Sequence, residues 1–214
     1  RTRLEPDIAA LLEADGVALR PGPRERISED TLKGLRHAIL AGVWIEADHR
    51  ARATGLLSRN ARIGPLAMLL GDGRQYLVAY SAWAEDVRLF ALAGFERVEV
   101  TNEAFERPPG FDLRAWMERS FGIWQEEVHD VVWRFTPEAA KDARQFLFHP
   151  QQEMAEAPDG SLIVRFRAGG LQEMCWHLFR WGDQVEIVAP SALCDMMAEQ
   201  LRKAGAALSG SGRK

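Results

Sequence analysis

Apolar residues recur at two periods along this chain, and each change of period marks an element. Leu4, Ile8, Leu11 and Leu12 fall at helical spacing, and Gly16 ends that run. Ser28, followed by Glu29 and Asp30, starts a second helix; Leu32, Leu35 and Ile39 line one face and Gly42 stops it. Short strand segments follow at 43–46, 59–63, 75–80, 87–92 and 97–100, with Gly71-Asp72-Gly73 as a hairpin turn. In 75–80, Tyr76, Val78 and Tyr80 share one face, and Leu77 and Ala79 the other. Both faces are apolar, which predicts a central strand. One helix followed by several short strands predicts a small, partly open β-barrel.

Residues 105–111 (FERPPGF) break both periods and mark a domain boundary. Asp112 then caps a helix to about residue 124, with Leu113, Trp116, Met117 and Phe121 at helical spacing. A strand at 130–135 sets Val131, Trp133 and Phe135 on one face, and Thr136-Pro137-Glu138 opens a helix to about residue 147. Strands at 152–157 and 161–168 flank the turn Pro158-Asp159-Gly160. The stripe Leu171, Met174, Cys175, Leu178 and Phe179 is a helix, 185–188 a strand, and Ser191 caps a last helix through Leu193, Met196, Met197 and Leu201. The predicted order is βαββαβ plus one helix, a ferredoxin-like pattern, so the fold class is α+β. The expected division is a helix and connector at 1–27, a barrel domain at 28–107, a linker helix at 108–126, a ferredoxin-like domain at 127–207 and a disordered tail at 208–214.

Composition adds exclusions. The 214 residues are 47% hydrophobic and 27% charged, enough for ordinary cores. No run of eighteen apolar residues occurs, and no basic, apolar, small-residue leader precedes the first helix, so a cytoplasmic protein without membrane contact is expected. The chain begins without methionine, and its proline- and arginine-rich opening suits the tail of an upstream domain. Cys175 and Cys194 lie nineteen apart with no CxxC pair and read as core thiols. HExxH, GxSxG and phosphate-loop patterns are absent, and no two histidines show metal-ligand spacing with a carboxylate. Neither an enzyme nor a metal or cofactor is expected.

The net charge of -4 and sequence pI near 5.8 argue against a nonspecific nucleic-acid coat. The distribution of charge changes that picture. Residues 49–71 hold Arg50, Arg52, Arg59 and Arg62, with no lysine and no carboxylate. An all-arginine patch suits oriented, bidentate phosphate contacts. Arg88 leads a neighbouring strand and Tyr76 offers a ring, so Arg59, Arg62, Arg88 and Tyr76 are expected to meet as a phosphate-gripping, base-stacking site. Parity limits this: three residues apart, Arg59 and Arg62 face opposite sides of a regular strand unless it bends. Tyr76 reads equally as a ring filling the barrel, and Arg88 as a salt-bridge partner of Asp86. Arg165 and Arg167 share the polar face of 161–168, as a second phosphate grip or a solvated face. His149 and Gln152 stand nearby as ligand contacts or, for His149, as a helix-end histidine.

Taken in order, these segments resemble the sensor half of WYL-domain transcriptional regulators with their C-terminal WCX extension. Gln75-Tyr76-Leu77 stands where the family has Trp-Tyr-Leu. Upstream, Arg62-Ile63-Gly64-Pro65 matches Arg-x-x-Pro; downstream, 86–92 (DVRLFAL) matches Asp-x-Arg-x-Phe-x-Leu. His149-Pro150-Gln151-Gln152, Asp159-Gly160-Ser161, Trp181-Gly182-Asp183 and Ala189-Pro190 follow in the family's order. Ala91 and Gly94 depart from it, standing where arginines are frequent, and an early strand tyrosine is missing near Ala47–Asp48; Arg50, Arg52 or Arg97 would substitute. The resemblance implies an SH3/Sm-like barrel, a ferredoxin-like WCX domain, a homodimer and an upstream winged helix-turn-helix that reads double-stranded promoter DNA. It also implies bacterial regulation tied to DNA damage or phage defence, with single-stranded DNA as effector. A dimerisation and protein-interaction module without a nucleic-acid ligand is the alternative.

Overall fold

The Ser28 hydroxyl accepts the Thr31 backbone N–H at 3.0 Å, and Glu29 and Asp30 add negative charge to the same turn. Helix α1 (Glu29–Ala41) starts there and ends at Gly42, whose φ of 63° is the left-handed cap that glycine adopts without strain. In the computed structural model, residues 25–71 and 74–210 are described. The helix expected near Leu4–Leu12, most of the connector, the tip of the Gly71–Gly73 turn and residues 211–214 lie outside them. The chain forms two units, Arg1–Phe111 and Asp112–Lys214.

In the first unit five antiparallel strands follow α1: β1 (Val43–Arg50), β2 (Leu57–Gly71), β3 (Arg74–Ser81), β4 (Asp86–Ala91) and β5 (Phe95–Ala104). Their order is β4-β3-β2-β1-β5. Strand β3 is central and buried on both faces, as its sequence predicts. Strands β1, β2 and β5 outrun their predicted lengths because bulges carry them past the points where alternation fails. Pro65 sits beside one such bulge, between Pro65 and Ala67, a place in a sheet that tolerates proline.

The hydrogen-bonded sheet is open, not a closed barrel, yet it is curled. Its two edge strands, β4 and β5, are joined by the three residues Leu92–Gly94. Four inter-strand spacings in a flat sheet would part them by about 19 Å. The connector, from Ala91 to Phe95, spans at most about 15 Å. The sheet bends around Leu35, Ile45, Ile63, Leu77, Ala79 and Leu92, which form its core with α1.

The second unit begins with α2 (Leu113–Met117), much shorter than the helix predicted to residue 124. The Glu173 carboxylate accepts the backbone N–H groups of Ile123 and Trp124 at 2.8–3.0 Å, which holds those residues out of a helix. Gly122 permits the approach: a Cβ there would lie 2.2 Å from the Glu173 side chain.

Then come β6 (His129–Phe135), α3 (Pro137–Ala143), β7 (Glu153–Glu156), β8 (Leu162–Ala168), α4 (Leu171–Leu178), β9 (Val185–Ala189) and α5 (Ser191–Gly210). The sheet order is β7-β8-β6-β9, all antiparallel. Trp133, Phe135, Val164, Phe166, Met174 and Leu178 form its core. Where a tail was expected from residue 208, α5 continues to Gly210. Among the described residues no helix is long and apolar enough to cross a membrane.

Candidate nucleic-acid interface

Alternation along β1 buries Ile45, Ala47 and His49 and turns Trp44, Glu46 and Asp48 to the other face. The strands beside it bring arginines to that outer face. Arg62 of β2 lies opposite Glu46, and Arg97 of β5 lies opposite Asp48. Arg59 joins them through a bulge: Ala47 pairs with Ala61 but His49 with Ser58, so β2 spends one residue more than β1. Asn60 absorbs the extra residue at φ 49°, a left-handed conformation that asparagine tolerates. Its backbone N–H donates to Asp48 Oδ1 at 2.8 Å, and the Arg59 guanidinium reaches Asp48 Oδ2 at 3.8 Å. The strand therefore bends, and Arg59 and Arg62 reach the same face.

Each of these guanidiniums meets a carboxylate. Arg62 pairs with Glu103 at 2.5 Å, Arg97 with Glu99 at 2.5 Å, and Arg50 with Glu96 at 2.7 Å. Arg97 also donates to Asn60 Oδ1 and, at 3.4 Å, to Asp48. Hydrogen bonding to Arg62 lowers the Glu103 pKa, and the Asn60 N–H lowers that of Asp48, so both stay ionised. Glu46, Asp48, Glu96, Glu99 and Glu103 together outnumber Arg50, Arg59, Arg62 and Arg97. The face is therefore a row of paired charges, so an anion arriving here would have to exchange with a carboxylate and would not meet bare positive charge.

Aromatic rings border the Arg62 end. The Arg62 guanidinium lies 4.5 Å from the Trp44 ring centroid, a cation–π distance. Trp44 packs edge-on against Phe105 and Tyr80, and Gly64 lets Phe105 close: a Cβ there would fall 2.2 Å from the ring. Trp83, 94% exposed, sits on the β3–β4 turn, where the Ala82 N–H donates to the Arg62 carbonyl.

Two expected members do not join this group. Arg88 lies opposite Ala79 on the core-side face of β3, whereas Tyr76 lies opposite Ala91 on the other face. Arg88 pairs with Asp86 at 3.4 Å, the partner its parity predicts. Tyr76 is 4% exposed and pairs with Leu69, seven residues along β2 from Arg62, or about 20 Å of strand. Its ring fills the fold and offers no open stacking face. Arg52 instead turns to Glu25 at 3.6 Å, as does Arg74, also at 3.6 Å.

The departure at Gly94 has a local cause. His49 is buried between Phe90 and Phe95, and its Nε2 contacts the Ala91 carbonyl at 3.1 Å. A Cβ on Gly94 would lie 2.6 Å from the Arg50 carbonyl and 2.7 Å from His49 Nε2. The imidazole takes the room a larger residue at position 94 would need. Burial lowers the His49 pKa, so the ring is neutral at physiological pH.

Family models for two domains match the chain: the WYL domain at residues 30–100 and the WCX domain at 127–205. The chain belongs to the WYL-domain family. It is 26% identical over 202 residues to Protein PafC from two strains of Mycobacterium tuberculosis, covering 94% of this chain and 60% of that protein. It thus spans about three-fifths of the curated relatives it matches. Among solved structures, a CRISPR Cas-related protein aligns over 86% of this chain and 53% of its own, at 11% identity and a TM-score of 0.57. Proteasome accessory factor B/C (PafBC) of Arthrobacter aurescens aligns over 91% and 30%, at 20% identity and a TM-score of 0.41.

The arginine row therefore belongs to the WYL domain, and the remaining candidates to the WCX domain. His149 is 1% exposed. Its Nδ1 accepts the Gln151 N–H at 3.2 Å, which leaves the proton on Nε2 to donate to the Glu118 carbonyl at 2.9 Å. Gln152 accepts from the Phe148 and His149 N–H groups and donates to the Phe146 carbonyl. The His149 ring is thus buried between that turn and the Glu118 carbonyl, and the Gln152 amide is spent on the backbone of the turn after α3. Arg165 and Arg167 do share the exposed face of β8; Arg167 pairs with Asp130 at 2.9 Å, and Arg165 stands between Val132 and Glu153.

Sequence reasoning missed Asn60, Asp48, Arg74, Trp44 and Trp83. Only Asn60 carried a usable signal, an αL-tolerant residue between two arginines in a strand segment.

Proposed function

We propose that this chain is the effector-sensing and dimerisation region of a bacterial transcriptional regulator, taking single-stranded DNA as its effector. Membership of the WYL-domain family supports the regulatory reading. One observation carries the choice of ligand: the Asn60 bulge aligns Arg59 with Arg62 and Arg97 on one strand face, beside the Trp44 ledge. Guanidinium forks suit successive phosphates, and a half-buried tryptophan suits a base. The first unit's helix and five curled strands support an Sm-like assignment, and the second unit's 2-3-1-4 strand order supports a ferredoxin-like one. Arg165 and Arg167 on the WCX sheet offer a second grip. The region acts in the cytoplasm as a homodimer, controlling an upstream winged helix-turn-helix that reads promoter DNA. The effector matters only insofar as it binds one arrangement of those reading heads better than another.

A fluorescein-labelled oligothymidylate, titrated at two salt concentrations, tests this. Three phosphate contacts give a slope of about -2 in log affinity against log salt. R59A/R62A is expected to flatten that slope. No binding at low salt, or binding indifferent to R59A/R62A, sinks the reading.

A second reading, a protein-interaction module, rests on the carboxylate beside each arginine and on Trp83, almost wholly exposed. Tryptophan and arginine are common interface anchors. W83A would then abolish capture of the partner without touching oligothymidylate affinity.

A further inference from the structure

Two arginines of the WYL domain outside the arginine row converge on one carboxylate. Arg52 lies in the loop after β1 and Arg74 at the start of β3, and each guanidinium stands 3.6 Å from Glu25 Oε1. Those distances are ion-pair contacts, too long for hydrogen bonds. The second oxygen, Oε2, is buried and has no hydrogen-bond partner. Among the described residues, Glu25 has thus given up water on one oxygen and gained only charge contacts on the other. A buried, unsatisfied anionic oxygen is costly, so the carboxylate is a poorly held occupant of a well-charged place.

We infer that Arg52 and Arg74 form a phosphate site in which Glu25 is the resident stand-in, displaced when a backbone phosphate of the effector arrives. A phosphodiester group suits the pair better than the carboxylate does. Its non-bridging oxygens point in different directions, so each guanidinium gains a short, charge-assisted hydrogen bond. Displacement has a structural consequence. Glu25 stands three residues before Ser28, the N-cap of α1, so its release frees the chain where it enters that helix. Ligand binding and the conformation of the segment before α1 become one equilibrium, and the exchange at Glu25 is the differential contact such coupling requires. This inference rests on the nucleic-acid reading above and names a residue on which that site is regulated.

The test compares the whole chain with E25Q, which keeps the shape and removes the charge, using a fluorescein-labelled oligothymidylate pentamer at low salt. E25Q is expected to bind about three- to tenfold more tightly, the scale of a unit charge near a surface site. R52A/R74A is expected to bind more weakly than wild type and to gain nothing from adding E25Q. E29Q removes the same charge from the exposed start of α1 and is expected to leave affinity unchanged. Equal affinity of E25Q and wild type, or equal tightening by E25Q and E29Q, overturns the exchange while leaving the nucleic-acid reading intact. If neither wild type nor E25Q binds the pentamer, the nucleic-acid reading fails and the exchange fails with it.

Discussion

Asn60 donates its backbone N–H to the Asp48 carboxylate at 2.8 Å, and this contact decides which way Arg59 faces. The bond fixes a left-handed residue inside β2 and shifts the strand by one position against β1. Without that shift Arg59 would point to the side opposite Arg62, as in any regular strand.

Replacement of Asn60 therefore separates backbone from side-chain effects. N60V forces a β-branched residue into the left-handed region and is expected to cost about 1–2 kcal/mol of stability in urea unfolding. N60G keeps the conformation and is expected to stay within about 0.5 kcal/mol of wild type. If the bulge aligns the arginines for a ligand, N60V also weakens oligothymidylate binding more than N60G does.

His49 is expected to make the WYL domain less stable in mild acid. Burial holds its folded-state pKa below the ordinary value of 6.5. The unfolded chain then binds the proton more readily, so the stability from a neutral His49 is complete above about pH 6.5. It is lost as pH falls through the lower, folded-state value. Thermal unfolding between pH 7.5 and 5.5 is expected to show this loss, and H49Q, which keeps a donor for the Ala91 carbonyl, to flatten it. Asp48 and Glu103, whose pKa values are also lowered, lose their ion pairs only in stronger acid.

An arginine cannot be restored at Gly94 by simple substitution. Even the methyl of G94A would meet the Arg50 carbonyl at 2.6 Å, backbone that cannot swing aside. The expected loss is about 1–3 kcal/mol, read as a lowered midpoint in denaturant. G94A with H49A relieves the imidazole contact but not the carbonyl contact, so it recovers only part of the loss.

Gln152 distinguishes scaffold from ligand contact in the WCX domain. Q152A removes an acceptor for two backbone N–H groups and a donor for one carbonyl. It is expected to lower stability by about 1–2 kcal/mol and to leave oligothymidylate affinity unchanged. R165A/R167A, by contrast, leaves stability alone. A fall in affinity with Q152A at a temperature where the protein remains folded would return Gln152 to the site.

The motifs located the arginines without arranging them. Arg88 and Asp86 paired as parity required, because both sit on a short strand without a bulge. Arg59 and Arg62 resisted the same reasoning because a bulge depends on the partner strand, here on a carboxylate twelve residues away. His149 and Gln152 were legible as neighbours, but the burial of His149 and the backbone contacts of Gln152 were not. The turn that absorbs their hydrogen bonds draws on Glu118, thirty-one residues upstream of His149. The helix predicted to residue 124 stopped early because Glu173, far along the chain, captured its backbone.

By itself the sequence determined the elements and their order: the Ser28 cap, the Gly42 stop, the doubly buried β3 and the βαββαβ series. These depend on local periodicity and on residues within a turn of one another. The tertiary structure alone decided what faces what. It aligned Arg59 with Arg62, turned Arg88 away from Tyr76, filled the Gly94 corner with His49, set Glu25 between Arg52 and Arg74, and put a carboxylate beside each arginine of the β1 face. Each of those outcomes joins strands distant in sequence through register, and register is fixed by cross-strand packing and hydrogen bonding that no local pattern contains.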